Sequence, residues 1–383
     1  MIDSTKGKFL VLKVIAQVLI LTTLHSTCFS DIKQKSENIK AVTTDNFFYK
    51  GGDISMLLDF EQKGMRIYEN GKAVDLIKIM SKYGCNTFRI RKFVNPSGEK
   101  GVIQDLDYVL KLGKRIKSSK SKFLLDLHYS DTWADPMHQK IPKEWEKLSF
   151  EELLKTVENY TYHILSECKK NECPPDLVQI GNEIQTGIMK PWGAYDKKFK
   201  WEKYCSILKS GIKGAKKALP NIKIILHTHA GGNHWAVRDF SQRLLTYKVR
   251  YDFLGLSYYP EWQGPLDNLK KSLVEASKFH KPVIVVETAY HHNGLKAWYK
   301  VKENSFDYDF SPKGQYKFLK DLIHTVKKGE NNIGKGVLYW FPESIKFSQD
   351  KVWADGNRAL FDKNGVPLPA LEAFSDEQKK MSP

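Results

Sequence analysis

Pro282-Val283-Ile284-Val285-Val286-Glu287-Thr288-Ala289-Tyr290 sets four β-branched residues in a row and a carboxylate directly behind them. An apolar run without alternation is the pattern of a strand buried on both faces, as in a parallel sheet covered by helices. An ionised Glu287 inside such a core would cost several kcal/mol or shift its pKa. The residue therefore belongs where the strand runs out, at a mouth lined by polar partners.

Working outward, seven more apolar strand candidates appear: Phe47–Leu57, Thr87–Val94, Phe123–Tyr129, Leu177–Ile184, Lys223–Ala230, Phe253–Pro260 and Gly336–Pro342. Between them lie stretches with helical spacing, including Ala73–Met80, Leu106–Leu112, Phe150–Cys168, Trp201–Ala218, Leu266–Phe279 and Tyr316–Val326. Eight strands alternating with helices is the count of a closed barrel. No GxGxxG follows the first strand, which argues against an open dinucleotide-binding sheet. The expected fold is α/β, a single (β/α)8 TIM barrel with extended βα loops over residues 47–383, its last thirty residues forming a tail.

Chemistry in such barrels gathers at the C-terminal strand ends. The ends here carry Asp53, then Arg89 and Arg91, then Asp126, His128, Asp131 and Trp133, then Asn182 and Glu183, then His227 and His229, then Tyr258, Glu287 and Trp340. Glu183 ends the fourth strand and Glu287 the seventh, three strands apart, so they face each other across the mouth. Two opposed carboxyls, one protonated and one ionised, are what cleavage of a glycosidic bond requires. Asn182 is placed to hold a sugar hydroxyl, and Tyr258 or an arginine of the second strand to hydrogen-bond Glu287 and keep it charged. Trp133, Trp192, Trp235, Trp262 and Trp340 offer indole faces for sugar rings, Trp340 as the floor of the subsite. A zinc reading of His128, His227 and His229 competes, but metal-dependent hydrolases draw more ligands from other strands. The expected role of these histidines is hydrogen bonding to sugar hydroxyls or burial beside the mouth.

Residues 1–30 read as an export signal: Lys6, Lys8 and Lys13 flank or enter the apolar run Val14–Leu24, with cleavage expected near Ser30. Cys28 raises a lipid anchor as the only membrane attachment, against which His25 and Thr27 are poor neighbours. Residues 31–46 form a polar tether. The formal charge of +17 would suit nucleic acid, but the lysines are spread along the chain without a cluster. Solubility, or attraction to an acidic polysaccharide such as pectin, is the better reading, and a monomer is expected. Of the cysteines beyond the signal, Cys168 and Cys173 are spaced for a small-loop disulfide, while Cys85 reads as a buried apolar residue.

Several of these pieces together resemble glycoside hydrolase family 53, the arabinogalactan endo-β-1,4-galactanases. They are Gly52-Asp53-Ile54-Ser55-Met56, Arg89-Ile90-Arg91, Leu127-His128-Tyr129-Ser130-Asp131-Thr132-Trp133-Ala134-Asp135-Pro136 and Gln179-Ile180-Gly181-Asn182-Glu183. Gly255-Leu256-Ser257-Tyr258-Tyr259-Pro260, Val285-Val286-Glu287-Thr288-Ala289-Tyr290 and Gly336-Val337-Leu338-Tyr339-Trp340 complete the set. The resemblance runs from about Phe48 to Leu371. It implies a retaining hydrolase with Glu183 as acid/base and Glu287 as nucleophile, acting inside β-1,4-galactan or arabinogalactan side chains of pectin without a catalytic cofactor. It also raises a structural calcium ion, Ca2+, for which Asp350, Asp355, Asn357 and Asp362 are the oxygen donors at hand. The family's usual Trp-Glu-Pro after the eighth strand reads Trp340-Phe341-Pro342-Glu343 here, a departure at the subsite itself. The alternatives are a barrel hydrolase of another β-1,4-linked polysaccharide such as mannan, and a non-catalytic carbohydrate-binding barrel.

Overall fold

The computed structural model describes residues 47–194, 201–294, 307–347 and 352–375. The export signal, the tether, Cys28 and Asp350 lie outside them. Eight parallel strands close into a barrel: β1 (Tyr49–Asp53), β2 (Thr87–Lys92), β3 (Lys122–Leu127), β4 (Leu177–Ile180), β5 (Lys223–Thr228), β6 (Phe253–Ser257), β7 (Val283–Glu287) and β8 (Gly334–Trp340). Closure comes from β1, which pairs Tyr49 with Gly336 of β8 and Gly51 with Thr87 of β2. Gly51 is required there by the close approach, since a Cβ would lie 1.8 Å from the Thr87 carbonyl oxygen. Every residue of β7 is buried, and Glu287 is its last.

Among the described residues seven helices of seven or more residues cover the barrel: α1 (Leu76–Lys82), α2 (Leu106–Ser118), α3 (Phe150–Lys170), α4 (Trp201–Ala218), α5 (His234–Thr246), α6 (Leu266–Lys278) and α7 (Pro312–Lys327). Most of their starts are capped by short polar side chains, most completely at α3, where Ser149 and Glu152 satisfy each other's backbone N–H groups. A turn at Pro369–Phe374 packs on α7 as the tail, and Lys50 Nζ donates to the Phe374 carbonyl.

Two local expectations change. Ala73 and Val74 belong not to a helix but to a hairpin, Ile67–Glu69 paired with Lys72–Val74. Its central residues, Asn70 and Gly71, both have positive φ (50° and 75°), as an Asn-Gly hairpin turn demands. Helix α5 has no counterpart among the helical stretches expected from sequence. Its buried Val237, Phe240 and Leu244 keep helical spacing, but the exposed Trp235 and Leu245 blur the stripe.

Candidate active site

Strand alternation aims Asp53, Arg89, Asp126, Gln179, His227, Ser257 and Glu287 into the upper barrel, where hydrogen bonds join them into one network. Arg89 is the hub and is fully buried. Its Nη1 donates to Glu287 Oε1 at 2.8 Å and to Asp53 Oδ2 at 3.1 Å. Its Nη2 donates to Asp126 Oδ2 and to Asn182 Oδ1, each at 2.7 Å. Burial alone would lower the Arg89 pKa, but Asp126, Glu287 and Asp53 outweigh it and hold the guanidinium charged.

Glu287 is thus fastened on one oxygen by Arg89 and on the other by the Tyr259 hydroxyl at 3.1 Å. Burial raises its pKa to about 7, with Arg89 pulling the other way. Burial, and then the Glu287 charge, carry Glu183 further, to about 8. Of the pair, Glu183 is therefore the one that keeps a proton, because it lacks a bonded cation. The Ser257 hydroxyl donates to Glu183 Oε1 at 2.6 Å, which leaves Oε2 to carry that proton. With its one hydrogen committed, Ser257 Oγ accepts from His227 Nε2 at 2.8 Å. His227 Nδ1 then accepts from Gln179 Nε2 at 3.0 Å and from the Glu183 backbone N–H at 3.3 Å. Burial, with the Arg89 charge behind it, keeps His227 neutral. Glu183 itself takes a left-handed backbone (φ 46°), a costly conformation for a non-glycine residue.

Several expected sugar contacts prove to be supports. The Tyr258 side chain does not meet Glu287; only its backbone N–H reaches that residue, at the carbonyl oxygen (2.9 Å), while alternation along β6 leaves Ser257 and Tyr259 facing the mouth. Tyr258 points the other way, its hydroxyl donating to the Gly264 carbonyl at 2.6 Å. Accordingly, Tyr259→Phe is expected to lower kcat by roughly 10- to 100-fold, the worth of a hydrogen bond to a charged group. Tyr258→Phe should instead cost about 1 kcal/mol of stability, read from a denaturant melt. Asp131 is a loop staple, accepting the backbone N–H groups of Asn95 and Lys143. Asp53, Arg91 and His128 are wholly or almost wholly buried. Asp53 accepts from Ser55 and Arg89, and Arg91 lies 4.3 Å beneath the Trp133 ring. His128 holds Asp126 at 3.0 Å and accepts the Ala134 N–H. Asn182 is committed at both ends of its amide, to Arg89 and to the Ala134 carbonyl. Asp126, Gln179, Ser257 and Tyr259 join the site without having been assigned a role from sequence. Their signal is present there: each lies at an even spacing from an inward residue of its own strand.

Trp133 and Trp340 stay partly open and stand edge to face, ring centres 6.2 Å apart. They border a cavity of about 650 Å³ whose other walls include Met56, Phe60, Phe341 and Trp353. At the departure from Trp-Glu-Pro, Phe341 lines this cavity. Glu343 is sealed beneath, accepting the Met56 N–H, with burial raising it to about 8. Trp192, by contrast, packs on Phe150 and under Lys203.

Of the donors raised for calcium, Asp350 lies outside the described residues, and the other three make bonds within the protein. Asp355 pairs with Lys346, and Asp362 accepts the N–H groups of Asn364 and Val366. Asn357 commits its carbonyl to the His292 N–H. Among the described residues no group of three His, Cys, Asp or Glu side chains is arranged to hold a metal ion. Cys168 and Cys173 are free thiols that share a hydrogen bond rather than a disulfide. Cys85 is buried.

A sequence profile described as glycosyl hydrolase family 53 matches residues 49–374. The arabinogalactan endo-beta-1,4-galactanase of Cellvibrio japonicus is 34% identical over 347 residues, 85% of this chain and 90% of its own. Among solved structures, the Ignisphaera aggregans GH53 catalytic domain superposes with a TM-score of 0.79 at 32% identity, covering 85% of this chain and 95% of its own. A structure from work on two fungal beta-1,4-galactanases follows at 0.76 and 29%, covering 85% and 98%.

Proposed function

Because this chain belongs to glycosyl hydrolase family 53, we propose that it cleaves internal β-1,4-galactosidic bonds of galactan and arabinogalactan with retention of configuration. One observation carries the chemistry. Two buried carboxyls share one mouth, and only one of them is bonded to a fixed cation. Glu183 gives its proton to the departing glycosidic oxygen while Glu287 forms a bond to the anomeric carbon. The C–O bond breaks, its electron pair leaving with the protonated oxygen. Glu183, now ionised, takes a proton from water, whose oxygen displaces Glu287 and restores both side chains. Proton and nucleophile are both side chains of this protein, so the reaction needs no cofactor. Trp133 and Trp340 stand where a sugar ring would lie against the mouth.

The proposal includes export and action on the galactan side chains of pectin. Its support is the apolar run Val14–Leu24 behind basic residues. The decisive experiment is incubation with linear β-1,4-galactan and with mannan, followed by product sizing and NMR of the new reducing end. Galactan should give internal fragments whose first-formed anomer is β; mannan cleaved equally well, or an α product, overturns the reading. The pH profile should be a bell. Activity falls on the acid side as Glu287 takes up its proton. It falls on the alkaline side, near 8, as Glu183 loses its own.

A further inference from the structure

We infer that Trp262 and Trp235 form a binding wall for the sugar units that leave, a site across the mouth from the Trp133–Trp340 cavity. The inference rests on the galactan reading above. Among the described residues these are the two most exposed tryptophans, Trp262 at 54% and Trp235 at 63%. Scattered exposed apolar residues need no explanation, but these two are neither scattered nor loose.

Trp262 sits in the turn directly after β6, its ring edge-on to Tyr259 at 5.1 Å. Tyr259 in turn bonds Glu287, so one ring separates Trp262 from the reacting centre. Behind it the Arg358 guanidinium lies 5.7 Å from the Trp262 ring and 4.7 Å from that of Trp353. Arg358 is wholly buried, paired with Glu261 and donating to His291. Trp235 opens α5, in the loop after β5, with His234 tilted against it at 4.8 Å and Arg238 at 5.9 Å. The two loops are pinned together: Gln263 donates to the His229 carbonyl, and a Cβ at Gly232 would lie 2.3 Å from the Gln263 carbonyl oxygen. Indoles held this way lose little freedom when a sugar ring stacks on them.

Direction follows from the chemistry. The cavity is walled by the segments after β1, β2, β3 and β8. The proton donor Glu183 follows β4, and its hydroxyl partner Ser257 lies on β6. A departing oxygen must be next to its proton donor, so the leaving part of the chain lies over the β4–β6 side. That is the side where Trp235 and Trp262 stand.

The test compares Trp262→Ala and Trp235→Ala with the parent on two substrates, β-1,4-galactan and 4-nitrophenyl β-1,4-galactobioside, whose aryl leaving group supplies no further sugars. On galactan, Trp262→Ala should lower kcat/KM about 10-fold, mainly through KM, and Trp235→Ala about threefold. Each loss should exceed the loss on the aryl substrate severalfold, Trp262→Phe should recover most of it, and products should lengthen. Equal losses on both substrates, or polymer turnover within twofold of the parent, overturn the inference. Should Trp262→Ala melt, the Trp235→Ala and Trp262→Phe ratios decide by the same criterion. A parent that leaves both substrates uncut would instead sink the galactan reading.

Discussion

Glu287→Ala lowers turnover of β-1,4-galactan by roughly 10⁴-fold or more, the scale seen when a covalent nucleophile is removed. Arg89 and Tyr259 remain to fill the space around the missing carboxylate, so the barrel keeps its shape and a circular-dichroism melt should shift little. Added azide should enter the vacated volume and restore part of the rate, giving an α-galactosyl azide, because a single displacement inverts. Near-parent turnover would remove Glu287 from the role assigned to it. The partner change, Glu183→Gln, should cost about 10²- to 10⁴-fold, less on substrates whose leaving group departs without a proton. It also has a stability signature. Glu183 is raised in the folded protein, to about 8, so the fold binds a proton that the unfolded chain gives up at lower pH. Its contribution is favourable at low pH and is lost as pH rises towards 8. Glutamine removes that loss, so Glu183→Gln should match or exceed the parent in Tm near pH 8, with the gap closing in acid.

Arg89→Leu carries the second large effect, and it falls on stability. The change strands Asp53, Asp126 and Glu287 around a buried apolar side chain. Breaking a buried ion pair from one side costs about 3–5 kcal/mol, and here three carboxylates share the cation. The expected fall in Tm is roughly 5–10 °C. Glu287, raised to about 7 by burial, sheds its charge as pH falls below that value, so the deficit should shrink in acid. Arg89→Lys should recover only part of it, since an ammonium lacks the planar fork that reaches Glu287 and Asp53 from one nitrogen and Asp126 and Asn182 from the other. A melt of Arg89→Leu within 2 °C of the parent at neutral pH would contradict this account of the hub.

Part of the site is legible in the sequence, and the pattern of what is not is informative. Glu183 and Glu287 stand out because a carboxylate at the end of an apolar run has no place in a core. Arg89 stands out as a hydrogen-bond candidate for Glu287, and its Nη1 donates to Glu287 Oε1. Tyr258 is misplaced by one residue, since alternation along its own strand turns Ser257 and Tyr259 to the mouth and Tyr258 away. Asp131 is misplaced for a different reason: its partners, Asn95 and Lys143, come from two other segments of the chain.

Apolar strand-length runs, their spacing and the amphipathic stretches between them determine from sequence alone that this chain builds eight strands with helical cover. They also place two acids at strand ends. These are local properties, set by side-chain shape and the cost of burying charge. Alternation says which side chains of a strand share a face, but which hydroxyl meets which acid and which of the acids keeps its proton were decided only when strands far apart in sequence came together. Those outcomes depend on distances of about 3 Å between groups on different strands, and no local pattern carries that information.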